Sequence, residues 1–366
     1  MRVPFLNLAI SDKQELSLLV ECLTNVLMHG RLVMGPEVDR LEAAIAEYCS
    51  RKYVVAVGSG TEALYLALRA LDIGPGDEVI TTSLSWIATA NAIALTGATP
   101  VFADILDDLN IDPLSVRFLV SDNTKAIVVV DYTGRVCDMN ELIAVAERHN
   151  LFLVEDGSQA FGAEYQGARC GSFGTISAIS HNPMKVLAAC GEAGSILCDD
   201  LGLYERLVSL RYNGTVNREI CIEPSHNGRM DTLQAAILLE RLKTVSSVIK
   251  ARRNNARFYD RALDEFVTIP VRSTDRTDVY YTYTIRSSRR DELRSYLEGR
   301  GVETKVQHPF LMPQQPAYRL QVKGDFRNAE KLVKEVLCIP VHEKMTQEER
   351  QYVVESICNF GISRPS

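Results

Sequence analysis

Short apolar runs alternate with longer stretches of helical period along most of the chain. Residues 53–57, Tyr-Val-Val-Ala-Val, read as a strand, and 61–71 as a helix that ends before Gly74-Pro75-Gly76. Residues 78–82 form the next expected strand, and 86–95 a helix closed by Gly97. Further strands are expected at 100–103, 126–130 and 151–154, with a helix at 140–149. Strands alternating with helices imply βαβ units and a mostly parallel sheet covered on both faces. The runs are apolar throughout rather than at every second position, as expected of strands buried on both sides.

The texture changes near Ile237. A long charged helical pattern over about 232–266 carries Lys243, Lys250, Arg252 and Arg253. After it come a β-rich stretch at 279–285 and a periodic one at 291–300. The segment 306–318 holds Pro309, Pro313 and Pro316 and is expected to be irregular. Helices are predicted again at 329–336 and 346–360. This pattern predicts an α/β fold: a large domain over residues 1–240, its body starting near 30, and a smaller α+β domain over 241–366. The N-terminal helix, 12–28, is expected near the smaller domain.

Composition adds exclusions. The 366 residues are 46% hydrophobic and 24% charged, ample for a large core. A net charge of −7 gives no reason to expect nucleic acid or an anionic membrane as partner. No apolar stretch approaches the roughly 18 residues of a membrane span. The first residues hold no long apolar run before Asp12, Lys13 and Glu15, so no signal peptide is expected. The nine cysteines lack any C-x-x-C pair. Buried free thiols in a reducing cytoplasm are expected, rather than disulfides or a metal site.

Three segments carry candidate chemistry. Val57-Gly58-Ser59-Gly60-Thr61-Glu62-Ala63 joins a strand to a helix, which puts backbone N–H groups and the positive helix end where a phosphate can sit. The segment also satisfies a G-x-G-x-x-A dinucleotide pattern, but Asp77 and Glu78 stand at the wrong end of the next strand to hold a ribose. Taken alone, it is equally a tight turn. Asp156 follows a strand that should be buried, and a buried carboxylate needs a partner; a pyridinium nitrogen would serve, and a plain turn at Asp156-Gly157 is the alternative. Gln159 stands three residues further. Lys185, among Pro183, Met184, Val186 and Leu187, sits in an apolar setting that lowers an amine's pKa and leaves a nucleophile for Schiff-base chemistry. A surface lysine is the alternative there.

In combination these segments resemble the DegT/DnrJ/EryC1/StrS sugar aminotransferases, fold-type I pyridoxal-phosphate enzymes. The resemblance runs through Gly35-Pro36-x-Val38, Gly74-x-Gly76-Asp77-Glu78-Val79, Glu155-Asp156-x-x-Gln159-x-x-Gly162-Ala163 and Ser180 to Lys185. It continues through Asn227-x-Arg229-Met230-x-x-Leu233-Gln234-Ala235-Ala236 to Leu337-x-Ile339-Pro340-Val341-His342. It implies that Lys185 holds pyridoxal 5'-phosphate and later moves the proton, and that Asp156 pairs with the pyridinium. It implies Gln159 near the ring oxygen, and Gly60, Thr61 and Ser180 on the phosphate. Trp86 would stack on the ring. Asn227 would reach the cofactor of a neighbouring subunit, which makes the active unit a homodimer. The resemblance further implies an amino donor, L-glutamate or glutamine, and a keto-sugar acceptor, with a keto-cyclitol acceptor or a sugar dehydratase as alternatives. The chain departs from the family at Asp131-Tyr132-Thr133-Gly134, at His181-Asn182, at Ala193 and over 307–313. All of these are placed near the substrate, with His308 and His181 as candidate contacts.

Overall fold

A computed structural model describes residues 1–319 and 324–362. Its centre is a seven-stranded sheet. In spatial order the strands are Tyr53–Val57, Gly194–Cys198, Ile176–Ser180, Phe152–Asp156, Thr124–Val130, Glu78–Thr82 and Thr99–Ala103. All are parallel except Gly194–Cys198, which runs against both neighbours.

The unbroken apolar runs have a simple cause. Successive residues of each strand enter opposite cores. Val54, Ala56, Ile127, Val129 and Leu153 belong to one, and Val55, Val57, Ala126, Val128 and Val154 to the other. The helix Pro36–Cys49 covers the first face and Gly60–Ala70 the second. The third core is built on residues 256–357 around the strand pair Tyr283–Arg286 and Val336–Ile339.

Three expectations need correction. The charged pattern over 232–266 is two helices, Thr232–Leu242 and Val245–Leu263. Thr244 breaks it: its hydroxyl donates to the Arg241 carbonyl at 3.2 Å, competing with the backbone. The second helix serves two cores, with Val245 and Ile249 in a sheet core and Ala256, Tyr259 and Leu263 in the third.

The β-rich stretch at 279–285 is strand only from Tyr283. Before it, Tyr280 has φ 51°, and the Val279 and Thr282 N–H groups donate to the Gly134 and Thr133 carbonyls. A Cβ on Gly134 would lie 2.6 Å from the Tyr281 nitrogen, so this docking needs glycine.

The N-terminal helix, Lys13–His29, packs on Thr232–Leu242, which spans the expected domain boundary, with Glu15 facing Arg241 at 3.4 Å. It is the segment ahead of the helix that joins the third core, through Val3 pairing with Val302.

The cysteines are all free, but Cys190 and Cys221 are exposed rather than buried. Among the described residues no helix is long and apolar enough to cross a membrane.

Candidate active site

The parallel strands end on one edge of the sheet, and the candidate residues gather there. Register places Asp156 between Val130 and Ala178, and pairs Gly194 with both Val57 and Ser180. This brings the glycine-rich turn beside Ser180. A Cβ on Gly60 would lie 2.4 Å from the Ser180 Cβ, so the two segments meet with no room for a side chain. Ser59 caps the helix Gly60–Ala70 by accepting from the Glu62 N–H at 3.1 Å. The first-turn N–H groups of Gly60 and Thr61 have no acceptor within the helix. With the Ser180 hydroxyl they form a cradle of donors at a positive helix end.

Asp156 is buried at the end of its strand. Its oxygens accept from the Thr89 hydroxyl at 3.1 Å and from the Ser158 N–H at 3.2 Å. Burial raises its carboxyl pKa; the Ser158 and Thr89 bonds and the Lys185 charge oppose the shift. Gln159 is buried nearby, its Oε1 accepting from the Thr133 N–H at 3.0 Å. The Gln159 NH₂ therefore remains available as a donor.

Lys185 follows a turn in which its own N–H bonds the Asn182 carbonyl at 2.8 Å. Its Nζ lies 4.7 Å from the centre of the Tyr281 ring. Burial pulls the amine down to about 8, against the pull of Asp156 and Glu192 and with a push from Lys305. At neutral pH an appreciable share of the amine is unprotonated, which makes it a nucleophile and a base.

Near the lysine, Trp86, His308 and Tyr132 form one aromatic group. The Tyr132 hydroxyl and His308 Nδ1 are 2.7 Å apart, and Trp86 faces the His308 ring with centroids 5.9 Å apart. Trp86 is 62% exposed. His308 has φ 125°, a backbone strain that the surrounding contacts maintain. Burial lowers its pKa to about 3, helped by Lys305 and Lys185, so the ring is neutral.

Two further candidates lie outside this cluster, Asn227 as expected of a residue assigned to a neighbouring subunit's site. His181 is fully buried, with Nδ1 at 3.3 Å from the Leu187 carbonyl and Nε2 at 2.9 Å from the Ser195 hydroxyl. Burial lowers its pKa to about 4. Both nitrogens are used inside the fold, so His181 is a neutral core residue with neither ring nitrogen left over. Asn227 is exposed, and its Oδ1 accepts from Arg229 Nε at 2.7 Å rather than joining the Lys185 cluster of its own chain.

Asp131 is also turned into the fold. It is buried, it accepts from the Cys137 N–H at 2.9 Å, and burial beside Glu155 raises its pKa well above the carboxylate range. Glu155 accepts from the Gly171 and Phe173 N–H groups and the Ser177 hydroxyl.

Sequence reasoning missed Thr89 and Tyr281, which left no local signal; Tyr132 stood in a segment placed near the substrate, without a role of its own.

The chain matches the model of the DegT/DnrJ/EryC1/StrS aminotransferase family over residues 14–358. It is 38% identical to a pleiotropic regulatory protein of Geobacillus stearothermophilus, covering 98% of this chain and 99% of that one. It is 36% identical to a dTDP-3-amino-3,4,6-trideoxy-alpha-D-glucose transaminase of Streptomyces venezuelae, covering 97% and 95%. A solved structure of S. venezuelae DesV in complex with a ketimine intermediate superposes with a TM-score of 0.96, at 36% identity and 100% coverage of both chains. The expected fold-type I architecture, a mostly parallel sheet under helices, is therefore the observed one. The chain belongs to the DegT/DnrJ/EryC1/StrS aminotransferase family, whose members depend on pyridoxal phosphate.

Proposed function

We propose that this aminotransferase moves an amino group from L-glutamate or glutamine to a keto-sugar, the preferred acceptor being a nucleotide-linked 3- or 4-keto sugar. One observation carries the reading: the Lys185 amine, lowered to about 8, lies in the field of the buried Asp156 carboxylate. The curated relative named for a dTDP-linked amino sugar supports the acceptor class.

The residues present fit pyridoxal phosphate. Among the described residues Asp156 has hydroxyl and amide donors at its oxygens, and a pyridinium N–H would add a charged partner. Gln159 has its N–H groups free for the ring oxygen. Gly60, Thr61 and Ser180 would hold the phosphate, and Trp86 would flank the ring. When bound, the group supplies an electron sink for the bond broken at the substrate carbon.

The chain's own residues do the rest. Lys185 Nζ would take the proton from the substrate carbon and return it to the carbon on the other side of the transferred nitrogen. The Tyr281 ring over Nζ keeps bulk water from the amine. Where Tyr132 donates to His308 Nδ1, the proton of the neutral imidazole sits on Nε2, which is then a donor for a sugar oxygen.

A homodimer is part of this proposal. Leu16, Val20, Leu27 and Met28 on the N-terminal helix are exposed, as are Leu32 and Val33 after it. Exposed Ile220 and Ile222 lie near Asn227 in the chain. Such clustered apolar surface marks an interface, and a partner on it brings Asn227 to the second active site. Mixing inactive Lys185→Ala protein with Asn227→Ala protein is expected to restore activity, because some hybrid dimers carry one intact site; no recovery after subunit exchange contradicts shared sites.

The free thiols support a reducing, cytoplasmic workplace. The division near residue 240 is proposed on the separate core of residues 256–357.

The acceptor is tested by loading the protein with pyridoxamine phosphate and adding nucleotide-linked 3- and 4-keto sugars. The expected result is one amino sugar formed per site. Turnover of keto-cyclitols alone, or release of water without amine transfer, would favour the alternatives.

A further inference from the structure

The charged helix Val245–Leu263 has a second feature that transamination does not use. Between it and residues 270–280 lies a cavity of about 310 Å³ lined by six arginines and only two carboxylates, Asp260 and Asp278. The chain as a whole has a net charge of −7, so this gathering runs against its average. Tyr280 lines the cavity, whereas the adjacent Tyr281 faces Lys185, which makes the two sites distinct.

The arginines divide into anchored and unpaired sets, with the exposed Arg272 between them, facing Asp260 at 3.7 Å. Arg135 is held by Asp278 at 2.9 Å and is nearly buried. Arg276 faces Asp108 and Asp138, each at 3.5 Å, and lies over the Tyr165 ring. Both guanidinium groups are fixed before any ligand arrives. Arg253, Arg257 and Arg261 differ: among the described residues none pairs with a carboxylate. They follow each other at i, i+4 and i+8 along one face of the helix, about 6 Å apart along its axis.

Like charges at i, i+4 repel. The helix does not depend on them for packing, since its buried positions include Ile249, Ala256, Tyr259 and Leu263. The repulsion is relieved if an anion lies across the row. Guanidinium groups present paired N–H donors that suit phosphate oxygens. A row with one helical turn between charges, opposite two anchored arginines, suits an anion with more than one phosphate better than a lone carboxylate.

We propose that this cavity binds a small anion carrying two or more phosphate groups, independently of the site around Lys185. The test is isothermal titration calorimetry with inorganic pyrophosphate at low ionic strength. The protein is first saturated with pyridoxal phosphate, so that the cofactor's phosphate cradle is filled. Arg257 and Arg261 are exposed, so an Arg257→Ala/Arg261→Ala variant is expected to fold and to respond to L-glutamate as the parent does. Pyrophosphate binding that weakens by roughly tenfold or more in this variant, and weakens with added salt, supports the site. No binding to the parent protein overturns it. Equal affinity in the variant also overturns it, by placing the anion elsewhere. Sulfate competing as well as pyrophosphate overturns the polyphosphate assignment.

Discussion

Lys185→Ala protein is expected to fold, to bind pyridoxal phosphate non-covalently, and to lose transamination by roughly 10²- to 10⁴-fold or more. Two functions leave with the amine: the covalent hold on the cofactor and the proton carrier at the substrate carbon. Folding should not suffer, because burial disfavours the charged form of this lysine, and removing it removes that burden. The parent protein offers a matching pH test. Uptake of pyridoxal phosphate by cofactor-free protein, followed by its growing near-visible absorbance, should quicken with rising pH and level off above about 8. The sign follows from the amine, since only the unprotonated form is a nucleophile. A variant that kept the parent's transamination rate would refute the role of Lys185.

Asp156→Asn should separate activity from stability. Activity is expected to fall by roughly 10²- to 10³-fold, the loss seen when one preorganised electrostatic group is removed. The cofactor-free variant is expected to melt higher than the parent at neutral pH. Burial raises the Asp156 pKa in the folded protein, so its share of stability is fully present below the unfolded carboxyl pKa and is lost as pH rises through the folded one. The amide has no such loss and keeps the local bonds: its oxygen can accept from the Ser158 N–H and its nitrogen can donate to the Thr89 hydroxyl. The gap in melting temperature should therefore widen as pH rises. Paired activity and thermal-unfolding measurements check both halves, and a variant that is less stable as well as inactive would argue for a purely structural Asp156.

The sequence was most informative where function depends on neighbours along the chain. Strand, turn and helix succeed one another within residues 53–70, so the donor cradle at Gly60 is visible as a local pattern. Lys185 and Asp156 each carry a local signal, an apolar flank and a strand end.

Where a role arises from residues far apart in sequence, that legibility ended. Thr89 reaches Asp156 across 67 residues, and Tyr281 comes over Lys185 because the loop at Gly134 captures the segment before it. His181 shows the converse error. A histidine beside the lysine motif suggested a substrate contact, but the pairing of Ser180 with Gly194 brings the Ser195 hydroxyl within 2.9 Å of its ring, and that pairing has no local sequence mark. The continuous helix expected over 232–266 failed for a different reason, because a single threonine bonding the preceding turn outweighed an otherwise consistent period.

The central claim, that Lys185 carries an amino-group transfer with pyridoxal phosphate, is tested most directly by the absorption spectrum of the cofactor-loaded protein before and after L-glutamate. The account predicts a band at the edge of the visible that collapses toward shorter wavelength as the amino group moves to the cofactor. A band that neither glutamate nor glutamine changes, or no cofactor band after adding pyridoxal phosphate, would contradict it.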